Sequence, residues 1–319
     1  MKVICSPDIH ETVINAIRKH PGVSKFHVID YSDEASQMEH RDATITIAKK
    51  EYSATSEMWN LKLFQVATAG YDKINVRALW NRNVAVCNNA GANANAVAEL
   101  TIASIISCLR NINYQHASVT RNKWDCLKHT GDEFGAQTLG IIGLGKIGTK
   151  VAELASPFDC KIRAYDVDER KIQSLKHAGI IASDLPTLLG ESDIVTVHIP
   201  LSQSTKGHIN DTFFSHCKSG SIFVNMARGE LQDENAIIAN LDNRKLSAVI
   251  LDVFSVEPFY NKNLFKYEDP SLTGRGSIFL PHTGPSKRTN LNLIDVIYRN
   301  IDLVCADKLN ELEQVTWYE

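Results

Sequence analysis

The sequence predicts an α/β chain built as two doubly wound parallel-sheet domains, the second inserted into the first. Three observations predict it. Short apolar runs alternate with helical patterns along almost the whole chain, as in sheets covered by crossover helices. A glycine-rich turn, Gly143-Leu144-Gly145-Lys146-Ile147-Gly148, joins the apolar run 139–142 to a helical one. Two turn-rich segments, 88–93 and 281–285, bracket the regular alternation around that turn, so the chain leaves a first domain and returns to it. The predicted boundaries are 1–92 with 287–319 for the first domain and 93–286 for the second.

Taken in order, residues 3–5, 25–29, 43–48 and 63–67 read as strands, with helical patterns at 11–19 and after Thr55. A helix over 94–110 is apolar around most of its circumference, through Val97, Leu100, Ile102, Ile105, Ile106 and Leu109, and reads as an interior or interface helix. Residues 122–134, with Trp124, His129 and Gly131, lack periodicity and read as an irregular arm. After the glycine turn, Val151, Ala152, Leu154 and Ala155 share one helical face. Strands follow at 161–165, 180–181, 193–198, 221–226, 248–253 and 277–280, with helices at 169–177 and 185–189. A final helix over 287–306 closes the first domain.

Length and composition narrow the function. With 319 residues the chain is long enough for two cores, and 44% hydrophobic and 22% charged residues are ordinary for a globular protein. The formal charge of -3 argues against a nucleic-acid surface. No apolar run approaches bilayer length, and the run after Met1 is too short for a signal peptide. The seven cysteines are scattered, without a C-x-x-C pair, and read as reduced thiols in a cytoplasmic protein. Neither cysteines nor histidines show metal-ligand spacing, so no metal is expected.

The glycine turn has a physical reading. Gly143 permits the turn, Gly145 lets a pyrophosphate approach the backbone, and Gly148 lets helix and strand pack closely. The amides at Lys146 and Ile147 open the helix and face an anion. The next strand ends on Asp166, close to the distance of about 20 residues at which an acidic side chain meets ribose hydroxyls. That carboxylate favours NAD over NADP, with Arg163 and Arg170 nearby as the counterargument. Ligand-contacting side chains of such sheets lie past the carboxyl ends of strands. Arg228, Glu257 and His282 stand there, after three successive predicted strands.

The chain resembles the D-isomer-specific 2-hydroxyacid dehydrogenase family over nearly its whole length. The resemblance rests on the glycine turn, Asn225-Met226-Ala227-Arg228-Gly229-Glu230, Leu251-Asp252-Val253-Phe254-Ser255-Val256-Glu257-Pro258, Pro281-His282-Thr283-Gly284 and Asn93-Ala94-Asn95-Ala96-Val97-Ala98-Glu99. It implies a Rossmann NAD-binding domain inserted into a flavodoxin-like substrate domain, and hydride transfer between NAD(H) and a small 2-keto or D-2-hydroxy acid. It also implies that Arg228 grips the substrate carboxylate, His282 exchanges the proton and Glu257 supports His282. Further cofactor contacts are implied at Pro200, Thr205, Ala227 and Asp252, and substrate contacts at Ala69, Gly70, Tyr71 and Lys49. Lys49 is placed where relatives that handle phosphorylated acids carry a basic residue. A homodimer is implied as well, in keeping with the apolar helix after Asn93. A glutamate at 257 separates the chain from formate-oxidising relatives, and the segment 259–276 is longer than in many members.

The chemistry agrees with these assignments. A guanidinium fork matches a carboxylate bidentately, and an imidazole exchanges protons near neutrality. The alternative is an NAD(H)-binding interaction protein with weak or no turnover, since C-terminal-binding-protein corepressors share the fold and motifs. Turnover separates the two.

Overall fold

Runs of aliphatic residues without polar alternation become strands buried on both faces, which is the pattern of a covered parallel sheet. A computed structural model describes residues 1–29, 33, 40–51, 53–124, 130–174 and 179–315. The chain divides into two compact units, Met1–Asn93 with Pro285–Glu319, and Ala94–Gly284.

The first unit contains β1 (Lys2–Cys5), β2 (Lys25–Val28), β3 (Ile45–Ala48), β4 (Leu63–Val66) and β5 (Ala85–Cys87). All pair in parallel, in the order β2-β1-β3-β4-β5 of flavodoxin-like sheets. One face is covered by helices Glu11–Arg18 and Lys287–Cys305, which bring Val13, Ile17, Leu293, Ile297 and Ile301 onto β1 and β3. The long closing helix starts cleanly because Ser286 and Thr289 form a reciprocal cap. Phe64, Val76, Leu79 and Val86 fill the other face.

Three sequence expectations change here. A fifth strand, β5, stands where a turn-rich crossing begins, since three buried residues are too few to show a period. The helix expected after Thr55 is a single 3-10 turn, Ser53–Glu57, in a run rich in serine and threonine, residue types that favour turns over helix interiors. A helix instead lies at Val76–Trp80, capped by Asn75, whose Oδ1 accepts from Ala78 N–H at 3.1 Å.

The second unit contains β6 (Thr138–Ile142), β7 (Lys161–Tyr165), β8 (Ile181–Ala182), β9 (Ile194–Val197), β10 (Ser221–Asn225), β11 (Leu246–Leu251) and β12 (Ile278–Phe279). The parallel order β12-β11-β10-β9-β6-β7-β8 reverses direction between β6 and β9, and ligands of doubly wound sheets bind at such a switch point. Helix Ala94–Leu109 packs with helix Lys146–Ala155 on one face, burying Val97, Ile105, Leu109, Val151 and Ala155. Its apolar surface is therefore spent inside its own unit, and it no longer argues for a second subunit. Phe213, Phe214 and Phe223 anchor the other face in edge-to-face pairs.

The arm expected at 122–134 is preceded by a helix, Ile112–Thr120, which buries only Ser118 and so leaves no apolar stripe to read. His129 lies outside the described residues, as does the end of the helix expected at 169–177, whose described part is Glu169–Ser174. Burial pushes the thiols of Cys5, Cys87, Cys108 and Cys217 up to about 12, which keeps them protonated and inert. Among the described residues, no helix is long and apolar enough to cross a membrane, and no group of three or more His, Cys, Asp or Glu is placed to hold a metal.

Candidate active site

The glycine turn follows β6 directly. Gly143 takes a positive φ of 94°, and a Cβ there meets the His198 carbonyl at 2.9 Å. A Cβ on Gly148 lies 1.9 Å from the Gly143 oxygen, so the turn and the helix are packed backbone to backbone. Gly145, the N-cap of Lys146–Ala155, meets nothing within 4 Å. An open backbone edge at a helix start is what a pyrophosphate needs. The loop therefore fits a dinucleotide by its own geometry.

These glycines separate folding from binding. Gly148→Ala is expected to lower the unfolding temperature and abolish NADH binding together, because backbone must move. Gly145→Ala should leave the unfolding temperature unchanged yet weaken NADH binding by about tenfold or more, since its methyl occupies the approach to the helix start. Thermal unfolding and NADH fluorescence titration of both variants test this. Undiminished binding in Gly145→Ala would remove the loop from the cofactor site.

Asp166 sits at the end of β7, 8% exposed. Its Oδ2 accepts from the Leu144 N–H at 2.7 Å and its Oδ1 from Asp168 N–H at 2.9 Å, which ties β7 to the glycine turn. Lys171 Nζ lies 3.3 Å from both oxygens. Arg163 and Arg170 are engaged elsewhere: Arg163 with Ser183 and Glu191, Arg170 in a fork on Asp168. The cation beside the expected ribose carboxylate is thus Lys171, which the sequence reading did not single out.

After β9, Thr205 Oγ1 donates to the Pro200 carbonyl at 2.8 Å and accepts from Ser202 N–H at 2.8 Å, closing a tight loop. His198 stands at its start, with Nε2 3.0 Å from Thr196 Oγ1 and Nδ1 enclosed without a partner among the described residues. Burial pushes its pKa down from 6.5 to about 4. The unfolded chain then takes up the proton first as pH falls. Stability present above pH 6.5 is lost progressively between 6.5 and 4, by roughly 3 kcal/mol in total. His198→Gln should flatten the pH dependence of the unfolding midpoint in that window, and an unchanged slope would refute the assignment.

The turn after β10 is built on amides. Asn225, fully buried, donates from Nδ2 to the Arg228 carbonyl and to Gln232 Oε1, both at 2.9 Å, while its Oδ1 accepts from Ala227 N–H at 2.9 Å. Gln232 in turn donates to the Val253 carbonyl at 3.3 Å. Arg228, half-buried, donates from Nη1 to the Ala227 carbonyl at 2.8 Å. Gly229 presses on the next turn, where a Cβ meets the Phe254 carbonyl carbon at 1.9 Å.

Glu257 and His282 follow β11 and β12, which pair Leu251 with Phe279. Glu257 Oε2 lies 2.7 Å from His282 Nδ1, and its Oε1 accepts from Phe254 N–H at 3.1 Å. His282 has a left-handed φ of 56°, a conformation most side chains avoid but histidine tolerates. Asp252 holds it there. Its carboxylate, 1% exposed, accepts from Thr283 N–H at 2.7 Å and Gly284 N–H at 2.9 Å. Burial raises its pKa against these hydrogen bonds, which lower it.

The residues 102–284 match the sequence profile described as the D-isomer specific 2-hydroxyacid dehydrogenase, NAD binding domain. The chain is 34% identical over 249 residues to the hydroxypyruvate reductase of Thermotoga maritima, covering 76% of this chain and 79% of that one. The chain belongs to the D-isomer-specific 2-hydroxyacid dehydrogenase family. It is also 32% identical to the D-3-phosphoglycerate dehydrogenase of Archaeoglobus fulgidus over 94% of this chain. It spans only 56% of that enzyme, and about half of several other phosphoglycerate dehydrogenases. Among solved structures, the D-mandelate dehydrogenase of Rhodotorula graminis superposes with a TM-score of 0.80 at 26% identity, covering 95% of this chain and 94% of that one. The family's cofactor is NAD, and the glycine loop described above fits it.

In this family member the expected substrate contacts Ala69, Gly70 and Tyr71 lie in the first unit, past β4. Thr68 Oγ1 donates to the Gly70 carbonyl at 2.7 Å and Asn88 Nδ2 to the Ala69 carbonyl at 2.5 Å. Beneath them runs a buried amide chain that the sequence reading missed. Asn300 donates to Gln65 at 2.6 Å, and Gln65 donates to Asn89 at 3.2 Å. Amides inside apolar runs, such as Gln65 in β4 and Asn225 in β10, were the available signal. Lys49 donates to the Asp8 carbonyl at 2.5 Å, so its ammonium is already engaged within the first unit.

Proposed function

We propose that this protein reduces a 2-keto acid to the D-2-hydroxy acid with NADH and runs the reverse reaction with NAD. The observation that carries the reading is the Glu257–His282 pair at 2.7 Å, built in the same unit as an open dinucleotide loop. Bound at that loop, NAD(H) supplies or accepts the hydride. The amides at the start of Lys146–Ala155, including those of Lys146, Ile147 and Gly148, hold the pyrophosphate, with Gly143 and Gly145 shaping the approach. Asp166 holds the ribose hydroxyls, with its charge moderated by Lys171. Pro200, Thr205 and Ala227 border the rest of the cofactor, and Asp252 positions the turn that carries His282.

Arg228 binds the substrate carboxylate through its guanidinium fork, which fixes the carbonyl carbon. His282 Nε2 donates a proton to the carbonyl oxygen as negative charge develops there, and takes it back from the hydroxyl in the reverse direction. Glu257 accepts the Nδ1–H, which fixes the tautomer and balances the imidazolium formed during oxidation. The relatives named as reductases and dehydrogenases support this reading and lend none to the interaction-protein alternative. The test is the loss of NADH absorbance on purified protein with a panel of 2-keto acids, and chiral analysis of the product. Turnover to a D-hydroxy acid supports the proposal. Tight NADH binding without turnover of any acid overturns it.

A further inference from the structure

The second unit contains a cavity of about 510 Å³ that reaches the Glu257–His282 pair. Apart from these two residues its walls are aromatic, aliphatic or proline side chains, among them Phe254, Phe259, Phe265, Phe279 and Tyr260. The phenylalanines form a continuous ladder. Phe254 stacks on Phe259 with centroids 4.5 Å apart, Phe259 meets Phe265 edge-on at 5.9 Å, and Phe265 meets Phe279 at 5.1 Å. Rings locked against one another in this way make a preformed wall, which lowers the cost of binding. Among the described residues, no lysine or arginine lines the cavity.

We infer that this cavity receives the side chain of the substrate, and that the preferred substrates are 2-keto acids with a bulky apolar or aromatic group. The inference rests on the reading of Arg228 and His282 given above. With the carboxylate on Arg228 and the carbonyl oxygen on His282, the third substituent of the carbonyl carbon is the side chain. The cavity adjoins the proton-exchanging anchor directly, since His282 is part of its wall; Arg228 itself is not, but the next residue, Gly229, is packed on the backbone of Phe254, another wall residue. An apolar cavity of about 150 Å³ already accommodates benzene, so this one has room for a benzyl or isobutyl group. A charged phosphate would enter it without a cation to meet it, next to the Glu257 carboxylate.

The experiment measures kcat/KM with NADH for glyoxylate, pyruvate, hydroxypyruvate, 3-phosphohydroxypyruvate, 4-methyl-2-oxopentanoate and phenylpyruvate. The last two are expected to exceed pyruvate by about 100-fold, since each added group buried in an apolar pocket discriminates strongly. In Phe259→Ala, and in Tyr260→Ala at a side chain that is 86% exposed, the phenylpyruvate-to-pyruvate ratio should fall by about tenfold. Tyr260 makes little contact with the core, so its variant reports on binding even if Phe259→Ala unfolds. A best substrate among the small or phosphorylated acids overturns the inference and leaves the proposed reaction standing. A preference for bulky acids that neither variant changes places the side chain elsewhere and also overturns it. No turnover of any acid by protein that binds NADH strikes at the proposed reaction itself.

Discussion

Replacing His282 with asparagine is expected to lower kcat for ketone reduction about 1000-fold while NADH still binds. Asparagine is the informative replacement because the backbone here is left-handed, at φ 56°, and asparagine accepts that region more readily than most residues. The Thr283 and Gly284 amides stay on Asp252, so the turn is preserved. What disappears is the ring nitrogen Nε2, the proposed proton donor, and with it the partner of Glu257 at 2.7 Å. Single-turnover measurements at saturating NADH separate this from a binding defect. Turnover within about tenfold of the parent would take His282 out of the proton transfer.

The second large effect is at Arg228. Arg228→Lys keeps the charge, but an ammonium has no planar fork with which to hold a carboxylate in register. A misoriented carbonyl forfeits alignment with the hydride donor as well as binding, so kcat/KM should fall by about 100-fold. The amide bonds of Asn225 and Gln232 that hold the turn remain in the lysine variant, so folding should survive the change. Steady-state kinetics on the best 2-keto acid, with thermal unfolding as a control, decide the matter. Near-normal kcat/KM in the lysine variant would mean that another group holds the carboxylate.

Much of this was legible in the chain before any fold was known. The strand at Lys161–Tyr165 and the helix from Ala94 stand where their apolar periods put them. Arg228, Glu257 and His282 were visible because each is a polar residue just past an apolar run. Their partners were less visible. Asp252 reads as one more motif residue, yet it is the acceptor for two amides some thirty positions away. Lys171 reads as a surface lysine on a short helix, yet it lies against Asp166. The phenylalanines of the cavity come from three separate stretches and show no common period.

The sequence by itself determined most of the strands and the longer helices, the glycine turn and the family, because these depend on residues within a few positions of one another, where side-chain period and backbone freedom act directly. Tertiary structure alone decided which polar groups meet. The parallel pairing of Leu251 with Phe279 brings the ends of β11 and β12 side by side, and so sets Glu257 against His282. It also decided that the apolar helix Ala94–Leu109 is core, and that an aromatic cavity opens beside the pair. Contacts between distant residues are fixed by sheet register and packing, which no local pattern encodes.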